Sequence, residues 1–120
     1  MAAQAMGVFR EWYFYSDVVD LAAGATGALV AAQGAGRITR LVGLWGSADI
    51  AGTVVLKDGT TARSGTINLA STAGWILQPI PHDDVPYFAW MESSPNAAIN
   101  ITTVYCTIDG VVLYAVTPSP

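Results

Sequence analysis

From Ala28 onward, apolar and polar positions alternate with a period of two, and Val, Ile, Leu, Thr and Tyr fill most of them. That period puts successive side chains on opposite faces of an extended chain and predicts strands. The clearest stretch is INITTVYCTIDGVVLYAV, Ile99 to Val116. Asp109-Gly110 interrupts it, and Asp-Gly suits a two-residue type I′ hairpin, whose central residues both take positive φ. Such a hairpin pairs Ile108 with Val111, Cys106 with Leu113 and Val104 with Ala115, which predicts one core-facing side. Thr103, Tyr105, Thr107, Val112, Tyr114 and Val116 fall on the other side, whose mixed character suits contact with another layer or subunit.

Asp58-Gly59 marks a second hairpin, between AGTVVL and TTARSGTI. Further strands are expected over 28–33, 37–45, 66–70, 74–80 and 86–91. Short strands separated by Gly, Pro, Asn and Ser predict an all-β fold, an antiparallel β-sandwich of jelly-roll-like type. The rival is an Ala-rich helix over Val18 to Ala32, weakened by Gly24 and Gly27. No internal repeat is evident.

Residues 1–15 stand apart. GVFREWYFYS packs Phe9, Trp12, Tyr13, Phe14 and Tyr15 into one segment, and aromatic side chains at this density bury large areas. They predict either a first strand or an N-terminal extended arm that docks on a neighbouring subunit. Residues 16–120 form the β-sandwich domain.

Length bounds the chain to one domain of 120 residues, enough for a core without disulfides or metal. Hydrophobic residues make up 52% and charged residues only 12%, about half the usual charged share. The surface must therefore use Thr, Ser, Asn, Gly and apolar groups, and apolar surface implies a partner, often a second copy. The net charge of −4 comes from the second half, where Asp83, Asp84, Glu92 and Asp109 meet no Lys or Arg. Without a basic cluster, neither nucleic acid nor an anionic membrane is an expected partner. The start MAAQAMGVFREW lacks a signal-peptide pattern, and the expectation is a soluble chain made in a cytoplasm.

Candidate chemistry is sparse. PIPHDDVPYFAW holds the only histidine, His82, beside Asp83 and Asp84. Adjacent residues of an extended segment point apart, and no second His or ligating Cys completes a metal set. The prolines suit a stiff connection, so a loop is expected, with a calcium site from the two aspartates as the alternative. Cys106 falls on the predicted core side and reads as a buried small hydrophobe, not a nucleophile paired with His82. No GxSxG context supports hydrolysis. Asn100-Ile101-Thr102 matches a glycosylation sequon, and GAGR (Gly34 to Arg37) reads as a turn without a phosphate-loop lysine. No cofactor, metal or catalytic residue is expected. Trp12, Trp45, Trp75 and Trp90 open a sugar-binding alternative, with Asp83, Asp84, Glu92 and Asn96 near Trp90 as polar partners.

The second half resembles a known cadence: GTINLASTAGWILQPIP, a polar loop, SSPNAAINITT and a terminal IDGVVLYAV. Over residues 50–117 the chain resembles the small head decoration, or cement, proteins of tailed bacteriophages. That resemblance implies a jelly-roll-like β-sandwich, a homotrimer bound to the major capsid protein on the capsid exterior, and no catalysis. It also implies a terminal arm reaching the capsid lattice, for which Gly7 to Tyr15 is the nearest match. Phe9, Trp12, Tyr13, Phe14, Tyr15, Tyr105 and Tyr114 are the expected capsid or subunit contacts. The alternative is a carbohydrate-binding module or a small lectin-like protein of a virion surface.

Overall fold

In the computed structural model, residues 3–9, 12–24, 26–71, 74–77 and 90–119 are described, with backbone alone for 6–9 and 75–77. Eleven strands are present among them and no helix. They are β1 (Gln4–Phe9), β2 (Trp12–Leu21), β3 (Thr26–Val30), β4 (Arg37–Ala48), β5 (Gly52–Asp58) and β6 (Thr61–Ala62). The rest are β7 (Ile67–Leu69), β8 (Gly74–Leu77), β9 (Met91–Glu92), β10 (Ile99–Val104) and β11 (Ile108–Pro118). One sheet runs β1-β2-β11-β4-β8, with β9 also on β4; the other runs β3-β10-β5-β6, with β7 also on β5. All pairings are antiparallel. Strands β2 and β3, β4 and β5, and β10 and β11 each pass from one sheet to the other. The last two insert between the first two pairs, which is the winding of a jelly roll. The all-β sandwich read from the alternation is the architecture observed.

The inner faces meet over Val19, Leu41, Leu44, Val112, Tyr114 and Val116 from one sheet and Leu29, Val54, Leu56, Leu69, Ile99 and Ile101 from the other. A second buried group, Phe14, Val42 and Ala115, lies on the outer side of the first sheet, with Trp12 and Leu113 packed on it. Val42 belongs there because the β11–β4 register shifts between Leu113 and Tyr114: Leu113 faces Gly43 and Tyr114 faces Leu41. The extra residue bulges outward.

The expected hairpin at Asp109-Gly110 is not formed. Strands β10 and β11 lie in different sheets, and Asp109 and Gly110 are inside β11, paired with β2 and β4 on either side. The turning is done earlier, at 105–107, where Tyr105 takes φ 71°. Parity explains the consequence. A two-residue turn would put Ile108 and Val111 on one face, whereas a continuous strand puts Ile108 and Val112 there. Val112, Tyr114 and Val116 are accordingly buried in the sandwich, while Val111 and Val104 are exposed. Cys106 and Ile108 are buried as expected.

The hairpin at Asp58 does form. Asp58 pairs with Thr61, so Gly59 and Thr60 are the turn residues, and Gly59 has φ 58°. The GAGR turn is also present, with Gly34 at φ 108° and Gly36 at φ 73° leading into β4. Val18 to Ala32, the helical rival, holds the end of β2, a turn at Gly24 (φ 66°) and β3. Residues 78–89, with the expected loop at His82, Asp83 and Asp84, lie outside the described residues.

Candidate interaction surface

The aromatic segment is divided by strand parity. Strands β1 and β2 pair with Phe9 opposite Trp12, and β2 in turn pairs with β11. The Phe9 side chain is outside those described. Tyr15 stacks on Tyr114, centroids 5.4 Å apart and planes at 23°. Burial pushes the Tyr114 phenol up, helped by the charge of Asp17 and by Tyr15. Phe14 is buried in the second apolar group, its ring 5.9 Å from that of Trp12. The Arg40 guanidinium covers the Trp12 ring at 4.7 Å, pairs with Glu92 and donates from Nε to Thr117 Oγ1 at 3.2 Å. Of the expected contacts, Phe14 and Tyr114 are therefore interior side chains of this chain. Alternation in β2 sends Phe14 outward under Trp12 and Tyr15 inward, so one aromatic run feeds two different layers. Tyr13 and Tyr105 are exposed.

Tyr105 belongs to an apolar end of the sandwich. It is 74% exposed and stands beside exposed Val104, and Ile50 is exposed in the turn facing them. The two loops are tied. Thr107 N–H donates to Asp49 Oδ1 at 2.7 Å, and Asp49 N–H donates to the Thr107 carbonyl at 3.4 Å. The Thr107 N–H holds the Asp49 carboxyl below its ordinary value, against the opposing effect of burial. Beneath them, a Cβ on Gly52 would come 2.3 Å from the Val104 carbonyl and 2.7 Å from Cys106 Sγ. Left-handed backbone is unfavourable for a tyrosine, and such strain persists where the surroundings fix it. The exposed ring is thus held on a braced loop.

A second exposed surface is the outer face of the first sheet. Val18, Val111 and Trp45 are direct cross-strand partners on β2, β11 and β4, and are 52%, 42% and 65% exposed. One step along the strands, Asp20, Asp109, Ser47 and Gly74 form the next row, across β8. Trp45, Ser47, Gly74, Asp109 and Val111 line a shallow open groove there. Burial raises the Asp109 carboxyl, and a hydrogen bond with Asp20 and the charges of Asp20 and Asp49 raise it further.

No group of three or more His, Cys, Asp or Glu side chains suited to a metal is found among the described residues. Cys106 is buried, and burial followed by the Asp49 charge pushes its thiol up. Asn100 of the sequon lies in β10 and donates from Nδ2 to the Gly59 carbonyl at 2.8 Å. Trp90 is exposed, and its backbone N–H donates to the Leu41 carbonyl at 2.7 Å. Trp45 is one of the four indoles the sequence offers for sugar binding, but Ile50 and the alignment of Val18, Val111 and Trp45 in one row are not legible there, because they depend on which strands pair.

No family and no curated protein matches the chain. Among solved structures, it is similar to a chain in the cryo-EM structure of the giant freshwater prawn Macrobrachium rosenbergii extra small virus (XSV) VLP, at TM-score 0.39 and 11% identity. That similarity covers 91% of this chain and 82% of the other.

Proposed function

We propose that this chain is a non-enzymatic structural protein of a tailed-phage virion, a decoration or cement protein that binds the major capsid protein on the capsid exterior as a homotrimer. It is made in the host cytoplasm and acts by stabilising the shell. The observation that carries the reading is the braced apolar end: Tyr105, Val104 and Ile50 are exposed on a chain with only 12% charged residues. Exposed apolar groups on a rigid scaffold suit docking with little ordering cost. Three such ends in one trimer would engage three equivalent lattice sites, and linked contacts raise avidity without a strong single interface. Binding to the assembled shell then stabilises it by mass action.

The test is co-sedimentation with shells assembled without this protein. The native protein should pellet with them and saturate at a fixed ratio, and Tyr105→Asn with Ile50→Thr should abolish pelleting. The expected arm over residues 1–15 lies largely in β1 and β2 of the first sheet, and removal of residues 1–9 tests its β1 part separately, because it spares β2 and its pairing with β11. Native protein that stays in the supernatant at all shell concentrations would refute the reading.

A further inference from the structure

The outer face of the first sheet offers something a flat shell contact does not need: an open indole beside a row of hydroxyl acceptors. Trp45 sits on β4 between β11 and β8, so its exposure of 65% is on the open surface of a sheet, not at a fraying rim. Its own row is apolar, with Val111 and Val18. The adjacent row, about 7 Å along the strands, is polar and carries Asp20, Asp109 and Ser47, and ends at Gly74, which leaves room beside Ser47. The groove joins the two rows.

We propose that this groove is a carbohydrate-binding site, in which the Trp45 indole stacks on the C–H face of a neutral hexopyranose while Asp109 and Ser47 hydrogen-bond its hydroxyls. A pyranose ring is amphiphilic on the same scale as the two rows. Its C–H face suits an indole, and its hydroxyl edge suits carboxylate oxygens, which accept strongly when ionised. Charge selects the class. Among the described residues, the charged groups that bear on Asp109 are Asp20 and Asp49, both acidic, so an anionic sugar is disfavoured. Asp109 and Asp20 are cross-strand partners, where two like charges are a costly arrangement near neutral pH, and a hydroxyl donated to Asp109 eases that repulsion. The site is one-sided and open, so affinity is limited, with Kd about 1–10 mM for a single sugar unit.

The test is NMR titration of the full chain with methyl glycosides of glucose, galactose, mannose and N-acetylglucosamine, and with a trisaccharide of each. At least one sugar should shift the Trp45 indole and the Asp109 and Val111 amides. Trp45→Ala should weaken that binding about tenfold, and Asp109→Asn several-fold, while Trp45→Phe retains part of it. Shell co-sedimentation of Trp45→Ala should match native protein, which separates this result from the shell reading. Absence of shifts at these residues with every sugar, or equal binding by Trp45→Ala, would overturn the proposal.

Discussion

Asp58 and Ser94 hold the two sheets together through one carboxylate. Asp58, on β5, accepts from the Ser94 N–H at 2.9 Å and from its hydroxyl at 2.7 Å, just beyond β9 of the opposite sheet. Arg63 adds a longer contact at 3.5 Å. Burial alone would raise the Asp58 carboxyl. The two Ser94 bonds and Arg63 outweigh it, and its pKa lies below the ordinary 3.8. Asp58→Ala should cost about 2–3 kcal/mol and Ser94→Ala about 1 kcal/mol, measured by urea unfolding. The pH dependence has a fixed sign. A carboxyl lowered on folding stabilises fully above its unfolded value, and that contribution is lost as pH falls through 3.8 towards the folded pKa. The native protein should therefore lose stability in that range, and Asp58→Ala should lose less.

Gly110 should tolerate no side chain. A Cβ there would lie 1.8 Å from the Trp45 carbonyl oxygen and 2.7 Å from Gly46 Cα, both backbone atoms that cannot turn aside. Gly110→Ala should cost about 3 kcal/mol or more, or prevent folding. Gly59→Ala meets open space at φ 58° and should cost only about 1 kcal/mol. Were Asp109-Gly110 a turn, the two substitutions would cost the same.

These two glycines mark how far the sequence is readable. Gly59 follows Asp58 and precedes Thr60, and local turn chemistry alone locates its hairpin. Gly110 follows Asp109 with the same dipeptide, yet is glycine because β4 approaches its backbone closely. The alternation around both sites reads as strand, and the sandwich follows from it. What decides between turn and close approach is a pairing of β11 with β2 and β4, which are distant in sequence. The same limit applies at the surface. The hairpin reading puts Tyr105 and Tyr114 on one face, whereas Tyr105 is exposed and Phe14 and Tyr114 are interior, because β2 and β11 pair within one sheet and the chain turns at 105–107.

Cys106 should be inert in the folded protein. It is fully buried, with its thiol pKa raised. Thiol-specific reagents at pH 8 should leave it unmodified until denaturant is added, after which one thiol per chain should react. Rapid labelling of native protein would contradict this placement.

Tyr105 separates stability from contact. Its left-handed backbone suits asparagine better than tyrosine, so Tyr105→Asn should keep or raise the melting temperature. Tyr105→Val, β-branched at the same φ, should lower stability by about 1 kcal/mol or more. A calorimetric scan of the two variants checks both signs.

Sedimentation equilibrium of the native chain, from micromolar to millimolar, tests the central claim most directly. A protein whose weakly charged, apolar exterior exists to be covered by its own copies should show a mass three times that of the 12.5 kDa chain. A single 12.5 kDa species over the whole range would contradict it.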